Sequence, residues 1–156
     1  MGIKAIEREI EMIEKKYRKG FTAGVFDLFH VGHLNLLRNC KETCEYLMVG
    51  ILTDEYTEFL KGRKPYISLK ERMEIVRAIR YVDEVVPVDF HNTLKDEACR
   101  LYQFDVCYSG NDHGKEASWI EEQRRMKELG ADMVFLPYTM STSSTKIKEL
   151  ISQGRL

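Results

Sequence analysis

The sequence predicts an α/β fold, a five-stranded parallel sheet with helices on both faces, preceded by one extra amphipathic helix. Three observations lead there. Short apolar runs bounded by turn residues recur along the chain. The stretches between them carry apolar residues at the three-to-four spacing of helices. The order strand, helix, strand, helix repeats with no linker and no internal repeat, which favours a parallel sheet joined by crossover helices. At 156 residues the chain is one domain long. The expected division is an N-terminal helix over residues 1–19 and a single domain over residues 20–156.

The elements follow in order. Ile3, Ile6, Ile10, Ile13 and Tyr17 recur at steps of three and four among Lys, Arg and Glu, giving an amphipathic helix that ends before Gly20. Its apolar stripe is expected to pack on its own domain, with a second subunit as the alternative. The mixed signs on its polar face argue against a membrane-surface helix. Phe21 to Phe26 reads as the first strand, and Leu34, Leu36 and Leu37 followed by Cys40 and Cys44 as the first crossover helix. Tyr46 to Leu52 is the second strand, and Thr53-Asp54-Glu55 opens a polar loop that reaches Lys61-Gly62-Arg63-Lys64-Pro65. Ser68 with Glu71 is a capping box, starting a helix through Met73, Ile75, Val76 and Ile79. Asp83 to Val88 is the third strand. His91 to Phe104 is a helix with Leu94, Ala98 and Leu101 inward, and Val106-Cys107-Tyr108 is the fourth strand. Gly114 to Leu129 is a charged helix bearing the only tryptophan, Trp119, closed by Gly130. Met133 to Leu136 is the fifth strand, and a hydroxyl-rich loop, Tyr138 to Thr145, leads into a helix containing Ile147, Leu150 and Ile151.

Composition narrows the classes. Hydrophobic residues at 44% and charged residues at 31% are ordinary for a globular chain. A formal net charge of −1 argues against broad nucleic-acid binding, so any anion site must be local. No apolar run approaches the ~20 residues that span a bilayer, and Met1 to Lys19 lacks a signal-peptide core. A cytoplasmic location with no membrane and no nucleic-acid partner is the expectation. Cys40, Cys44, Cys99 and Cys107 lack the close pairing of a zinc site and read as buried free thiols, so no metal ligands are assigned.

Gly24-Val25-Phe26-Asp27-Leu28-Phe29-His30-Val31-Gly32-His33 joins the first strand to the first helix. A helix starting near Val31 leaves its first N–H groups without partners and presents the positive end of its dipole, a natural anion site. His30 and His33, three apart, share a face of the first turn and suit a phosphate. Gly24 and Gly32 allow close approach of ligand or backbone. Lys61, Arg63 and Lys64 form a charge run that is ordinarily just solvated, but it follows the carboxyl end of a strand, where ligands of open α/β sheets gather. The loop Ser109 to Gly114 ends another strand, and Ser143, Ser144 or Thr145 starts another helix.

These residues carry a resemblance. G-x-F-D followed by H-x-G-H, the run Arg80-Tyr81-Val82-Asp83-Glu84-Val85, and Ser143-Ser144-Thr145-Lys146-Ile147 resemble, in order, three motifs of the cytidylyltransferases in the H-x-G-H nucleotidyltransferase superfamily. The resemblance implies a Rossmann-like domain that transfers CMP from CTP to a small phosphorylated alcohol, with Mg²⁺ accompanying CTP and a homodimer as the assembly. It implies catalytic roles for His30, His33 and Lys61. Nucleotide contacts fall to Gly24, Val25, Phe26, Asp27, Gly110, Asp112, Thr139, Ser143, Ser144 and Thr145, and acceptor contacts to Lys64, Arg80 and His113. Asp27 would hold the turn or the metal. Gly110-Asn111-Asp112-His113 stands where the glycerol-3-phosphate enzymes carry G-D-D-W. Tyr138 and Ser141 stand where the family's last motif has Arg and Gly, and a tyrosine hydroxyl donates a hydrogen bond but supplies no charge. An adenylyltransferase acting on a phosphorylated cofactor precursor and a nucleotide-binding module without catalysis are the alternatives.

Overall fold

A computed structural model of the chain describes residues 2–7, 15–92, 95–110, 117–137 and 144–155. Five strands run β1 (Tyr17–Gly24), β2 (Cys44–Leu52), β3 (Glu84–Val88), β4 (Val106–Gly110) and β5 (Asp132–Leu136). Besides a helical segment at residues 3–7, the described residues form helices α1 (Val31–Thr43), α2 (Asp54–Lys61), α3 (Leu69–Arg77), α4 (Lys95–Tyr102), α5 (Ala117–Glu128) and α6 (Ser144–Ser152). The strands form one parallel sheet in the order β3-β2-β1-β4-β5. This is the expected α/β, Rossmann-like arrangement.

Alternation along the strands builds a core on each face. Leu47, Val49 and Ile51 of β2 join Leu37, Cys40 and Val76 of α1 and α3 on one side. Met48 points the other way, to Phe21, Ala98, Cys99 and Met126. Strands buried on both faces need apolar residues at consecutive positions, which is why β2 reads as a continuous run rather than an alternating one. Pro87 has no N–H for a ladder and lies in β3, an edge strand. All four cysteines are buried and free, as expected.

Four expectations need correction. Among the described residues the helix at the start is seen at residues 3–7, and Tyr17, read as part of its stripe, instead opens β1 four residues before Phe21. Tyr17 aligns with Cys44 of β2, and its hydroxyl donates to Asp132 Oδ2 at 2.8 Å, so sheet pairing overrides the helical spacing. Ile10 and Ile13 lie outside the described residues. Ile3 and Ile6 are exposed rather than packed on the domain. Thr53-Asp54-Glu55 opens a helix, not a loop: the Thr53 side chain caps α2 by accepting from the Tyr56 amide, and Gly62, at φ 78°, ends it. In α4, Ala98 and Cys99 are buried while Leu101 is 63% exposed. Leu94 lies outside the described residues.

Candidate active site

A cavity of about 850 Å³ opens where β1 and β4 lie side by side. The chain leaves β1 for β2 on one side and reaches β4 on the other, so this is the point where the strand order reverses, at the strands' carboxyl ends.

The turn between β1 and α1 is held by its own side chains. Phe26 and Leu28 adopt left-handed conformations, φ 53° and 51°, which cost free energy for residues with a Cβ and persist only where the surroundings enforce them. A Cβ on Gly24 would come within 3.0 Å of the Phe26 ring, so glycine there lets the ring fold back. Asp27 is 1% exposed. Its Oδ2 accepts from the Tyr66 amide at 2.9 Å and its Oδ1 from the Ile67 amide at 3.0 Å, while Lys148 Nζ stands 3.2 Å from Oδ2. Burial pushes the carboxyl pKa up, but the two amides and Lys148 outweigh it and hold it below the usual aspartate value. Asp27 therefore holds the turn.

The fully buried Arg72 does the same from behind. Its guanidinium donates to the carbonyls of Ile67 at 2.8 Å, Val25 at 2.7 Å and Leu52 at 2.9 Å, and to Asp54 Oδ1 at 2.5 Å. Turn, β2, α2 and the segment before α3 are thereby locked together. Sequence reasoning assigned Arg72 nothing, since an arginine among Lys and Glu on a helix reads as surface charge.

His30 and His33 cap α1 reciprocally. His30 Nδ1 accepts from the Gly32 amide at 3.0 Å, and His33 Nδ1 accepts from the His30 amide at 3.3 Å. Each Nδ1 is thus an acceptor, which assigns each ring proton to Nε2. Both rings line the cavity, with centroids 4.0 Å apart. Burial lowers the His33 pKa, the His30 charge adds to the lowering, and the value falls to about 4. Burial also lowers that of His30. Near neutral pH the pair is uncharged and offers two N–H donors. The cap also takes up helix-start donors that the sequence reading had left to the ligand.

Among the described residues three lysines line the cavity, and two of them, Lys61 and Lys148, act electrostatically on His33. Lys61, on the last turn of α2 rather than on a loop, lines the cavity; desolvation first and then the nearby Lys148 charge lower its pKa. Lys148 of α6 also lines it, with its side chain 14% exposed. Lys148 was missed, although it stands four residues past Ser144, one helical turn on from the hydroxyl motif.

Of the other candidates, Gly24, Val25, Phe26, Asp27, Gly110 and Thr145 line the cavity. Ser144 begins α6. Asp112, His113, Thr139 and Ser143 lie outside the described residues, as do Tyr138 and Ser141. Lys64 and Arg80 are not brought to the cavity. Lys64, three residues past the end of α2, is exposed and its Nζ stands 4.0 Å from Glu58 Oε2. Arg80 donates to the Tyr81 hydroxyl, close before the amino end of β3, whereas the site lies at the carboxyl ends. Neither side chain is among those that line the cavity in the single chain. Beside Arg80, Asp83 instead ties the chain to β2, its Oδ2 accepting from the Leu47 amide at 2.7 Å.

Among the described residues no group of three His, Cys, Asp or Glu side chains could hold a metal ion. Asp27, the one carboxylate of the turn, already has both oxygens on protein donors. These residues do not build a resident metal site.

Neutral donors, lysine cations and a helix start around a large cavity at a strand-order reversal define a site for a phosphate chain, and the class is nucleotidyltransferase. The family model described as Cytidylyltransferase-like matches residues 21–150, and the chain belongs to that family. The chain is 37% identical over 135 residues to the glycerol-3-phosphate cytidylyltransferase of Bacillus subtilis, covering 86% of this chain and 98% of that protein. It is 32% identical over 142 residues to the FAD synthase of Thermococcus sibiricus, covering 91% and 95%. The fold matches a lipopolysaccharide core biosynthesis protein of Thermoplasma volcanium with a TM-score of 0.64 at 21% identity, covering 79% of this chain and 97% of that one.

Proposed function

We propose that the protein transfers CMP from CTP to a small phosphorylated alcohol of the glycerol 3-phosphate type, giving a CDP-alcohol and pyrophosphate. The observation that carries the reading is the pair of Nε2–H donors of His30 and His33 with Lys61 and Lys148 around one cavity. The acceptor phosphate is largely ionised near neutral pH, so its oxygen attacks the α-phosphorus of CTP without a general base. The new P–O bond forms as the bond from the α-phosphorus to the bridging oxygen breaks, and pyrophosphate leaves with that electron pair. The protein's part is in-line positioning and stabilisation of the charge that grows on the α-phosphoryl oxygens and the leaving group. The imidazoles donate to those oxygens and the lysines offset the charge. In this reading Lys148 supplies the positive charge that Tyr138 cannot. Mg²⁺ arrives with the triphosphate as part of the substrate. The homodimer implied by the family resemblance and a cytoplasmic location belong to the same reading.

CTP is favoured by the Arg80 to Val85 element and by the Bacillus subtilis relative. AMP transfer from ATP to a phosphorylated flavin is the second reading, favoured by the relation to the archaeal FAD synthase. A pyrophosphate-release assay pairing CTP or ATP with glycerol 3-phosphate, phosphocholine or FMN separates them. CTP with an alcohol phosphate is expected to turn over, and His33→Ala to lose about a hundredfold to a thousandfold while staying folded. Turnover with ATP and FMN alone would move the assignment to the second reading.

A further inference from the structure

Asn92, Lys95 and Trp119 also line the cavity, and the phosphate chemistry leaves them unused. Lys95 Nζ stands 3.2 Å from the Trp119 ring centroid and 3.4 Å from Glu122 Oε2. Lys95 lines the cavity and Glu122 does not, so the ammonium is the member of this ion pair that faces a ligand. Two of the ammonium's three N–H directions go to the carboxylate and the ring, and the third has no partner among the described residues. Asn92 is fixed by donating to the Pro87 carbonyl at 3.2 Å and the Tyr102 hydroxyl at 3.0 Å, and its Oδ1 accepts from the Asp89 amide at 2.8 Å. A second lone pair on that oxygen remains. One held donor and one held acceptor suit hydroxyl groups, which both give and take hydrogen bonds.

We infer that Lys95, held by Trp119 and Glu122, sets acceptor specificity: it selects phosphorylated alcohols whose far end bears hydroxyls and rejects those ending in a quaternary ammonium. The inference rests on the proposed transfer to an alcohol phosphate. A trimethylammonium group is recognised by open aromatic faces. Here the Trp119 face is already covered by a cation, which also repels a second positive charge. A polyol phosphate meets neither obstacle.

The test measures kcat/KM with CTP for glycerol 3-phosphate and for phosphocholine, in the wild type, in Lys95→Met and in the double variant Lys95→Met/Glu122→Gln. The double variant avoids stranding the Glu122 carboxylate, whose side chain is 13% exposed. The wild type is expected to favour glycerol 3-phosphate by on the order of a hundredfold. Both variants are expected to lose about tenfold on glycerol 3-phosphate, mainly through KM, with KM for CTP unchanged and the preference narrowed about tenfold. A merely structural role would lower both acceptors together and leave the ratio fixed. Turnover with an unmoved ratio, or a wild type that accepts phosphocholine equally, overturns this inference alone. Absence of pyrophosphate release with every acceptor overturns the proposed function and the inference with it.

Discussion

His30 and His33 divide their nitrogens between two tasks, Nδ1 to the backbone and Nε2 to the cavity. Protonating Nδ1 removes a capping bond, so the arrangement resists acid. The His33 pKa of about 4 in the folded chain lies below its ordinary 6.5. The unfolded chain therefore takes up the proton first, and stability present above pH 6.5 is lost as pH falls towards 4. Urea unfolding should show the wild type losing on the order of 2 kcal/mol more than His33→Ala over that window. Equal losses would mean that His33 titrates normally. The candidacy of both histidines was legible from their spacing and from the strand-to-helix turn. Their tautomers were not, because these depend on where the Gly32 and His30 amides point. Lys148 was obscured by the hydroxyl-rich stretch before it, which drew the reading to Ser143, Ser144 and Thr145.

Among elements, the deciding contacts run between a turn and the segment that follows α2. Asp27 accepts from the amides of Tyr66 and Ile67, and Arg72 donates to the carbonyls of Ile67 and Val25, so the histidine turn and the approach to α3 are held as one unit. Arg72→Met leaves three carbonyls and Asp54 without their donor. It is expected to destabilise the protein by about 3–5 kcal/mol. A loss below about 1 kcal/mol in denaturant unfolding would show that these bonds are replaceable. The Ser68 cap and Gly130 were readable from local chemistry alone. Helix α2 carried its signals too, Thr53 as cap, Asp54 and Glu55 in the first turn, and Gly62 at the end, but its polar surroundings read as a loop. The start of β1 was hidden for a different reason: Tyr17 fits a helical stripe by spacing, and only pairing with β2 and the bond to Asp132 decide its state.

For the molecule as a whole, the strand order brings the ends of β1 and β4 and the starts of α1 and α6 to one cavity. This follows from a central β1 with β2 on one side and β4 on the other. The repeated strand and helix pattern made the parallel sheet legible, while the strand order rests on side-chain packing across two cores that no local pattern records. The same order leaves Lys64 and Arg80 off the cavity lining. Long-range imidazole nitrogen NMR on the intact protein at neutral pH, before and after adding CTP and magnesium, tests the central claim most directly. Both rings are predicted to carry the proton on Nε2 without ligand. On binding, both Nε2 signals are predicted to move and both pKa values to rise as the anion settles against them. Rings protonated on Nδ1, or Nε2 signals unmoved by CTP that binds elsewhere, would contradict it.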